Sequence, residues 1–246
     1  MKRILAWDIP TRLFHWLLAG AFLGAFIIGN VAEDEGSLFS VHMLLGATAG
    51  FMVLLRIIWG FVGSRYARFS SFTLSPAKVL AYLKGTVSGG AQRYAGHNPG
   101  TSWTSIAIFV MVLGLVATGV LMGNGGGEAV EEIHEVLAFG TLAVVGVHVA
   151  GIIFHTIRHR ENIAASMFHG RKQAGDGDDI RSPRPVAAVV FLVLTGLWSG
   201  GLVSGYDAAT SQVTLPLIGQ TIQVGEGEEH GEHEEYEEHE EHEDDD

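Results

Sequence analysis

Five long apolar stretches constrain the fold of this chain more than any other feature. A helix needs about 20 residues to cross roughly 30 Å of hydrocarbon at about 1.5 Å rise per residue. Each stretch reaches about that length, and the first, which contains His15 and Trp16 and no small-residue cleavage site, is expected to be a retained anchor. The stretches cover residues 13–31, 41–62, 104–122, 136–157 and 185–205. The sequence therefore predicts an all-α membrane protein with five transmembrane helices.

The acidic residues are concentrated at the carboxyl end. The chain of 246 residues has a net charge of −12, yet residues 225–246 hold 14 of its 27 Asp and Glu and no Lys or Arg. The remainder has 13 acids against 15 bases, so a nucleic-acid partner lacks its usual basic signature. The chain contains no cysteine, which excludes disulfides, thiolate metal sites and haem attached through cysteine.

Lys and Arg alternate between the connecting loops. They precede the first stretch and lie between the second and third and between the fourth and fifth, whereas residues 30–40 and 123–135 carry acids instead. Short cytoplasmic loops are enriched in Lys and Arg. This pattern predicts a multi-pass protein of a bacterial inner membrane, with a cytoplasmic amino terminus and, if the fifth stretch crosses fully, a periplasmic tail.

Four histidines lie within or at the edges of the apolar stretches. Ionisable residues at membrane depth are costly and are usually functional, although a histidine satisfied by a neighbouring helix is the alternative. His134 and His148 are 14 residues apart, which is about 21 Å along one helix and nearly on one face. His42 matches His134 in depth, and His15 matches His148.

These depths predict two pairs of facing histidines. We name His42 with His134 the outer pair and His15 with His148 the inner pair, after the predicted orientation. Two imidazoles projecting from a helix bundle commonly hold the iron of a b-type haem, so each pair is expected to ligate one haem. His155 competes for the inner site, but it lies deeper toward the cytoplasm.

Small residues and one arginine accompany the histidines. Gly46 and Gly50 follow His42 by one and two helical turns, where close approach of a porphyrin and plain helix packing explain them equally well. Arg56 lies 14 residues after His42, at the depth of the inner pair, where a haem propionate would pair with it. Snorkelling of Arg56 to the headgroups is the alternative.

The composition divides the chain into five parts. Residues 1–174 hold the first four apolar stretches and both histidine pairs, with an inner loop in which Ser75-Pro76 marks a helix start. The other parts are a linker, the fifth transmembrane helix, an ordered outer-face segment and the tail, at residues 175–184, 185–205, 206–224 and 225–246.

Histidines recur in the acidic tail among glutamates. The composition favours a disordered, solvated tail. Weak binding of zinc, copper or nickel and recruitment of a basic c-type cytochrome are the alternatives. The candidate metal ligands are His230, His233, His239 and His242.

Several motifs match one known family. They are Pro10-Thr11-Arg12-Leu13-Phe14-His15-Trp16, His42 with Gly46, Arg56-Ile57-Ile58-Trp59-Gly60-Phe61-Val62-Gly63 with Arg65-Tyr66, Gly96-His97-Asn98-Pro99, and His134 with His148. Over residues 3–174 the chain resembles the prokaryotic cytochrome b561 family, which includes the cytochrome b subunit of nickel–iron hydrogenases. The resemblance implies a four-helix bundle with two haems b, whose axial ligands are His15, His42, His134 and His148.

The resemblance also implies a function. Single electrons would pass between the quinone pool and an outer-face partner, with Arg12, Arg56 and His97 as candidate quinone contacts. That partner is a c-type cytochrome or an oxidoreductase subunit, and the chain is either a separate electron carrier or the cytochrome b subunit of a hydrogenase or other complex. A homodimer is left open. A divalent-metal transporter or sensor is the alternative of another class, but such a site would need carboxylates near its histidines, and the five apolar stretches themselves hold none.

Overall fold

The computed structural model describes residues 2–31, 37–88, 94–174 and 179–224. These residues form seven α-helices and five short strands. The helices are α1 Ile9–Val31, α2 Ser37–Val62, α3 Pro76–Ser88, α4 Pro99–Met122, α5 Glu128–His159, α6 Ser166–His169 and α7 Pro185–Ser204. The strands are β1 Lys2–Leu5, β2 Arg171–Ala174, β3 Tyr206–Asp207, β4 Gln212–Thr214 and β5 Thr221–Gln223.

Five of the helices, α1, α2, α4, α5 and α7, are long and apolar enough to cross a membrane. The prediction of an all-α, multi-pass membrane protein is therefore confirmed. Four of them begin earlier than the apolar stretches because a polar first turn precedes the apolar run. Asp8 Oδ1 accepts a hydrogen bond from Thr11 N at the start of α1, and Asn98 Oδ1 accepts one from Thr101 N at the start of α4. Glu128 and Glu131 stand in the first turn of α5, where negative charge suits the helix dipole.

The helices pack as two close antiparallel couples. α1 packs along α2, and α4 packs along α5, while α2 also contacts α4 and α7. Phe14 of α1, Met52 and Val53 of α2, Phe109 of α4 and Phe191 of α7 belong to the buried apolar core between them. Helix α5 has extensive contact with α4 alone, so α5 stands apart from α1 and α2.

Two small antiparallel sheets lie at the ends of the bundle. β1 pairs with β2, with Lys2 opposite Ala174, and this pairing was not predicted from the sequence. β3, β4 and β5 form a second sheet after α7. Its buried residues Val213 and Ile222 pack with Leu202 of α7. The tail, residues 225–246, and residues 175–178 of the predicted linker lie outside the described residues.

Candidate functional site

The outer pair brings His42 of α2 and His134 of α5 face to face. The centroids of the two imidazole rings are 6.1 Å apart, and the ring planes are inclined at 64°. Both side chains are half-buried. The two histidines that the sequence matched by depth therefore meet in space, across the gap between α2 and α5.

Hydrogen bonds assign the tautomer of both outer histidines. His42 Nδ1 lies 2.8 Å from the carbonyl oxygen of Ala25, which can only accept, so Nδ1 donates. His134 Nδ1 lies 2.8 Å from Thr118 Oγ1, and that hydroxyl donates its own proton to the Gly114 carbonyl at 2.9 Å. Thr118 therefore accepts from His134. In both rings Nε2 keeps its lone pair, as a ligating nitrogen requires.

Two glycines let the outer histidines lie close to neighbouring helices. A Cβ atom at Gly29 of α1 would lie 2.8 Å from His42 Nδ1, and one at Gly119 of α4 would lie 3.7 Å from His134 Cε1. Sequence analysis missed both glycines, and it also missed Thr118. No sequence signal marks them, because their proximity depends on how α1 and α4 are rotated against their partners.

An apolar pocket surrounds the outer pair. Its volume is about 90 Å³. Apart from the two histidines, all of the described side chains that line it are apolar. Gly46 lines the pocket, and a Cβ atom there would meet no atom within 4 Å. Gly50 instead packs against Val116, so only the first glycine of that predicted pair borders open space.

The inner pair joins His15 of α1 to His148 of α5. Their ring centroids are 6.5 Å apart, and the ring planes are inclined at 52°. In contrast to the outer pair, Nδ1 of each ring is buried and has no hydrogen-bond partner among the described residues. The second predicted pairing is therefore also seen in space, but its rings are not oriented by hydrogen bonds from Nδ1.

Both pairs have the spacing that one metal ion between two imidazoles requires. A metal–nitrogen bond is about 2.0–2.1 Å long and the nitrogen lies about 1.1 Å from its ring centroid, so the two centroids would stand about 6.3 Å apart. The observed 6.1 and 6.5 Å lie on either side of that value. Rings joined by a direct N–H···N hydrogen bond would stand only about 5.2 Å apart. The residues of both pairs therefore fit an axially ligated haem iron.

Arg56 is buried near the inner end of the bundle. Its side chain is 3% exposed, and the guanidinium carbon lies 5.7–6.0 Å from the ring centroids of Phe14, Phe69 and Phe109. Nη2 donates to the carbonyl oxygen of Ala67 at 2.9 Å, whereas Nη1 has no partner among the described residues. Arg56 thus does not extend to the headgroups, and one of its amino groups is open to an anion.

His97 belongs to an aromatic cluster at the same end. Its ring centroid lies 4.8 Å from that of Trp7 and 4.4 Å from that of Phe72. Burial lowers the pKa of His97 from its ordinary value to about 3, and the nearby positive charges of Arg56 and Lys172 add to the shift. His97 is therefore neutral at pH 7. Its Nδ1 has no hydrogen-bond partner in the described part of the chain.

Lys172 of β2 adds a half-buried positive charge beside this cluster. Its Nζ donates to the carbonyl oxygen of Gly96 at 3.0 Å and lies 5.8 Å from the Trp7 ring centroid. Burial lowers the pKa of Lys172 to about 8, and the charge of Glu161 opposes that shift. Lys172 therefore remains mostly charged at pH 7. The sequence placed it in an inner loop and gave no sign of its burial, which results from the pairing of β2 with β1.

The remaining predicted residues lie apart from the two pairs. Arg12 Nη1 donates to the carbonyl oxygen of Phe168. His155 is half-buried and lines a small polar pocket with Lys172 and Glu161, whereas His169 is exposed. Within the described ranges, no group of three or more His, Asp or Glu could hold a metal ion. The four tail histidines lie outside the described residues.

The fold and the two pairs define a class of protein: a multi-pass helical membrane protein with two facing pairs of histidines inside its bundle. Residues 6–170 match the family model described as prokaryotic cytochrome b561. The chain belongs to that family, and the resemblance predicted from its motifs is confirmed. Membership makes it a membrane b-type cytochrome of electron transfer, for which haem b is the implied cofactor. Helix α7 and the second sheet lie beyond the matched residues.

Two curated relatives have similar names. The chain is 22% identical over 224 residues to a "Probable Ni/Fe-hydrogenase B-type cytochrome subunit" of Rhizobium leguminosarum bv. viciae, and the match covers 72% of this chain and 92% of the relative. It is also 22% identical over 221 residues to a protein of the same name from Bradyrhizobium diazoefficiens, with 70% and 87% covered. No solved structure matches the chain significantly.

Proposed function

We propose that this protein is a dihaem cytochrome b that carries single electrons between the quinone pool and a redox partner on the outer face of a bacterial inner membrane. The observation that carries the proposal is the spacing of the two histidine pairs, 6.1 and 6.5 Å between ring centroids. A single site would hold a single haem, so electrons could not pass from one haem to another as a relay. Two sites, about 21 Å apart along α5, would provide one.

The proposed ligands are His42 and His134 for the outer haem and His15 and His148 for the inner haem. A haem held in this way supplies reversible one-electron chemistry at its iron. The outer histidines present Nε2 because Nδ1 is already donating. The apolar lining around them disfavours bound water, and fewer waters reduce the reorganisation of solvent when charge changes.

Quinone exchange is proposed at the inner end, near Arg12, Arg56 and His97. His97 is neutral at pH 7 because of its low pKa, and its ring already donates to the backbone of Tyr66, so its free Nδ1 could accept a hydrogen bond from a quinol hydroxyl. The sequence-based contact between Arg56 and a haem propionate remains a prediction. The open amino group of Arg56 supports an anion at this position without identifying it.

The chain either acts alone or serves as the cytochrome b subunit of a larger oxidoreductase complex. The names of the two relatives support the second arrangement. Solubilising native membranes in mild detergent and identifying proteins that co-purify with the chain would separate the two. A stoichiometric hydrogenase or other oxidoreductase subunit would identify a complex, and its absence would favour a separate carrier.

A basic c-type cytochrome is the proposed outer partner of a separate carrier. The 14 acids of residues 225–246 would attract such a protein, and its association rate would then fall as salt is added. Deleting residues 225–246 should remove that salt dependence. A synthetic tail peptide titrated with zinc, copper or nickel tests the competing idea, since no heat at micromolar metal would exclude a useful metal site. Size measurement of the purified protein tests for a homodimer.

A reduced-minus-oxidised absorption spectrum of the purified protein tests the proposal against the metal-transporter alternative. A b-type signal that is reduced by added quinol is expected. In a His42→Ala, His148→Ala double variant that signal should disappear, because each haem loses one ligand. An unchanged signal in the double variant would rule out the four histidines as ligands, whereas no signal in the parent protein would leave no support for a cytochrome.

The proposed orientation has its own test, because the chain has no cysteine. A single cysteine at Asp207, an exposed position in β3, should react with a membrane-impermeant thiol reagent added outside spheroplasts. A single cysteine at exposed Arg181 should react only after lysis. The reverse pattern would invert the topology, and equal labelling of both would mean that α7 does not cross.

A further inference from the structure

A large cavity lies away from the four histidines, between α1, α2 and the start of α7. Its volume is about 570 Å³. Arg56, Ser182 and Arg184 line it together with apolar side chains, and none of the four histidines does. Because α7 follows the residues that match the family, this cavity is built partly by an addition to the common unit.

Arg56 provides an unsatisfied buried cation on the wall of this cavity. It is 3% exposed, and its Nη1 has no hydrogen-bond partner among the described residues. The nearby carboxylate of Asp8 is fully buried and already accepts hydrogen bonds from Thr11 N and Trp59 Nε1, at 2.9 and 3.0 Å. Nη2 has the Ala67 carbonyl as its acceptor, but a buried guanidinium with one unpartnered amino group is costly, so an anion in the cavity would stabilise it.

The amino end of α7 provides a second, independent anion-binding feature. Arg184 precedes the helix, and no side chain caps the first turn. Val186 and Ala187, which stand in that turn, line the cavity. The uncapped N–H groups and the positive end of a 20-residue helix dipole favour a phosphate or carboxylate at this point.

The charges of the cavity favour an anion and give no means of proton transfer. Arg56 and Arg184 are its only charged residues among the described residues that line it, and no Asp, Glu, His, Lys or Tyr is present there. A quinone-reducing site must deliver protons, for which an arginine is unsuited because it stays protonated, and the other two proposed quinone contacts, Arg12 and His97, do not line this cavity. An anionic group that only binds fits the cavity better.

The side of the cavity is apolar and faces outward between α2 and α7. Ile58 of α2 is 58% exposed, and Val190 and Leu194 of α7 are 51% and 40% exposed. At this level a helix surface faces hydrocarbon in a membrane. The cavity thus combines a cationic head with an apolar groove, which is the chemistry of an amphiphile rather than of a free ion.

We propose that this cavity binds an anionic phospholipid. Its phosphate would accept hydrogen bonds from Arg56, Arg184 and the free amides at the start of α7, and one acyl chain would lie against Val190 and Leu194. Basic pockets between transmembrane helices near the cytoplasmic surface are suited to such headgroups. The lipid would link α7 to α1 and α2, whose residues line the other side of this cavity.

Titration of the full-length protein in detergent with phosphatidylglycerol, followed by native mass spectrometry, tests the headgroup contact. Arg184→Gln should weaken binding about five-fold, and Arg56→Gln should weaken it at least as much. Arg181→Gln is the matched control, because Arg181 is exposed nearby but does not line the cavity. Equal affinities for the Arg184 and Arg181 variants would overturn the proposal.

A second pair of variants distinguishes a lipid from a free phosphate without changing any charge. Val190→Trp fills the apolar side of the cavity. Val193→Trp is the control, because Val193 is 52% exposed, against 51% for Val190, but does not line the cavity. Only Val190→Trp should lower phosphatidylglycerol binding, and inorganic phosphate should compete weakly. Equal loss in both variants, or full competition by inorganic phosphate, would contradict the lipid assignment.

The same set of proteins separates the lipid from a haem propionate as the anion at Arg56. If the lipid occupies the site, Arg56→Gln should lower lipid affinity while Arg184→Gln leaves the b-type spectrum unchanged. If Arg56→Gln shifted the spectrum and left lipid affinity unchanged, the anion would be a propionate and the proposal would be wrong. This outcome would leave the dihaem function intact.

Discussion

The two histidine pairs have nearly the same spacing but different surroundings. In the outer pair, both Nδ1 atoms are hydrogen-bonded, to the Ala25 carbonyl and to Thr118. In the inner pair, Nδ1 of His15 and of His148 is buried without a partner. A hydrogen bond from Nδ1 makes an imidazole a stronger donor to a metal. The outer pair is therefore better suited to the oxidised iron.

Nearby charge reinforces this difference. The inner end contains two positive charges, buried Arg56 and half-buried Lys172, and both act electrostatically on His97. The described lining of the outer pocket contains no charged residue. Positive charge favours the reduced, less positive iron, so the inner haem should have the higher potential. The two histidine pairs thus share their residue type and differ in the hydrogen bonds and charges around them.

The largest effect is expected from removing single ligands. His134→Ala should abolish the outer haem and retain the inner haem, because one imidazole cannot hold a haem that needs two firmly. The b-type absorbance should fall by about half, and only the higher-potential transition should remain. His148→Ala should leave only the lower-potential transition. His155→Ala is the control and should retain both. Redox potentiometry of the three variants measures this, and loss of both transitions in each single variant would mean that the sites are not separate.

Filling the outer pocket should reduce haem binding nearly as much as removing a ligand, and only at the outer site. Gly46→Leu places a side chain where Gly46 borders open space, so the outer haem should be lost or bound at low occupancy. Gly196→Leu is the control, because a Cβ atom at exposed Gly196 also meets no atom within 4 Å but Gly196 does not line the pocket. Haem content per chain is the measurement. Equal haem contents in the two variants would show that the pocket is not the haem site.

Breaking one hydrogen bond should shift a potential without loss of haem. Thr118→Val removes the acceptor of His134 Nδ1, which makes that ring a weaker electron donor to iron. The outer reduction potential should therefore rise by roughly 40 mV, which corresponds to one hydrogen bond of about 1 kcal/mol. Thr141→Val is the control, since buried Thr141 bonds only the Leu137 carbonyl in the described structure. A shift of the inner potential instead would reverse the assignment of the two transitions.

The smallest expected effect is a dependence of the inner potential on pH. Because burial lowers the pKa of Lys172 to about 8, raising the pH from 7 to 9 should remove its positive charge and lower the inner potential by roughly 20–30 mV. The outer potential should change less. In Lys172→Met the inner potential should start lower and lose this part of its pH dependence. An unchanged pH profile in Lys172→Met would show that this charge does not reach the inner site.

Much of the fold could be predicted from the sequence because a bilayer requires long apolar helices. All five were predicted, and the starts of four were placed too late, as at Glu128, since polar first turns carry no apolar signal. The pairing of β1 with β2 could not be predicted. It joins residues 2–5 to residues 171–174, which are far apart in the sequence. Such short segments have no distinctive sequence pattern.

The four histidines could also be predicted to meet in pairs, because helical rise converts sequence separation into depth. Their surroundings could not. Thr118, Gly29 and the covering of the outer pocket by Val213 and Ile222 depend on helix rotation and on the course of the chain after α7. The burial of Arg56 among three phenylalanine rings depends on packing in the same way.

The central claim is that each chain holds two b-type haems. The most direct measurement is the haem content of the purified protein, determined as the pyridine haemochrome and divided by the chain concentration from amino-acid analysis. The account predicts two haems b per chain, and two one-electron transitions in the same sample. A saturated content of one haem per chain, with a single transition, would contradict it.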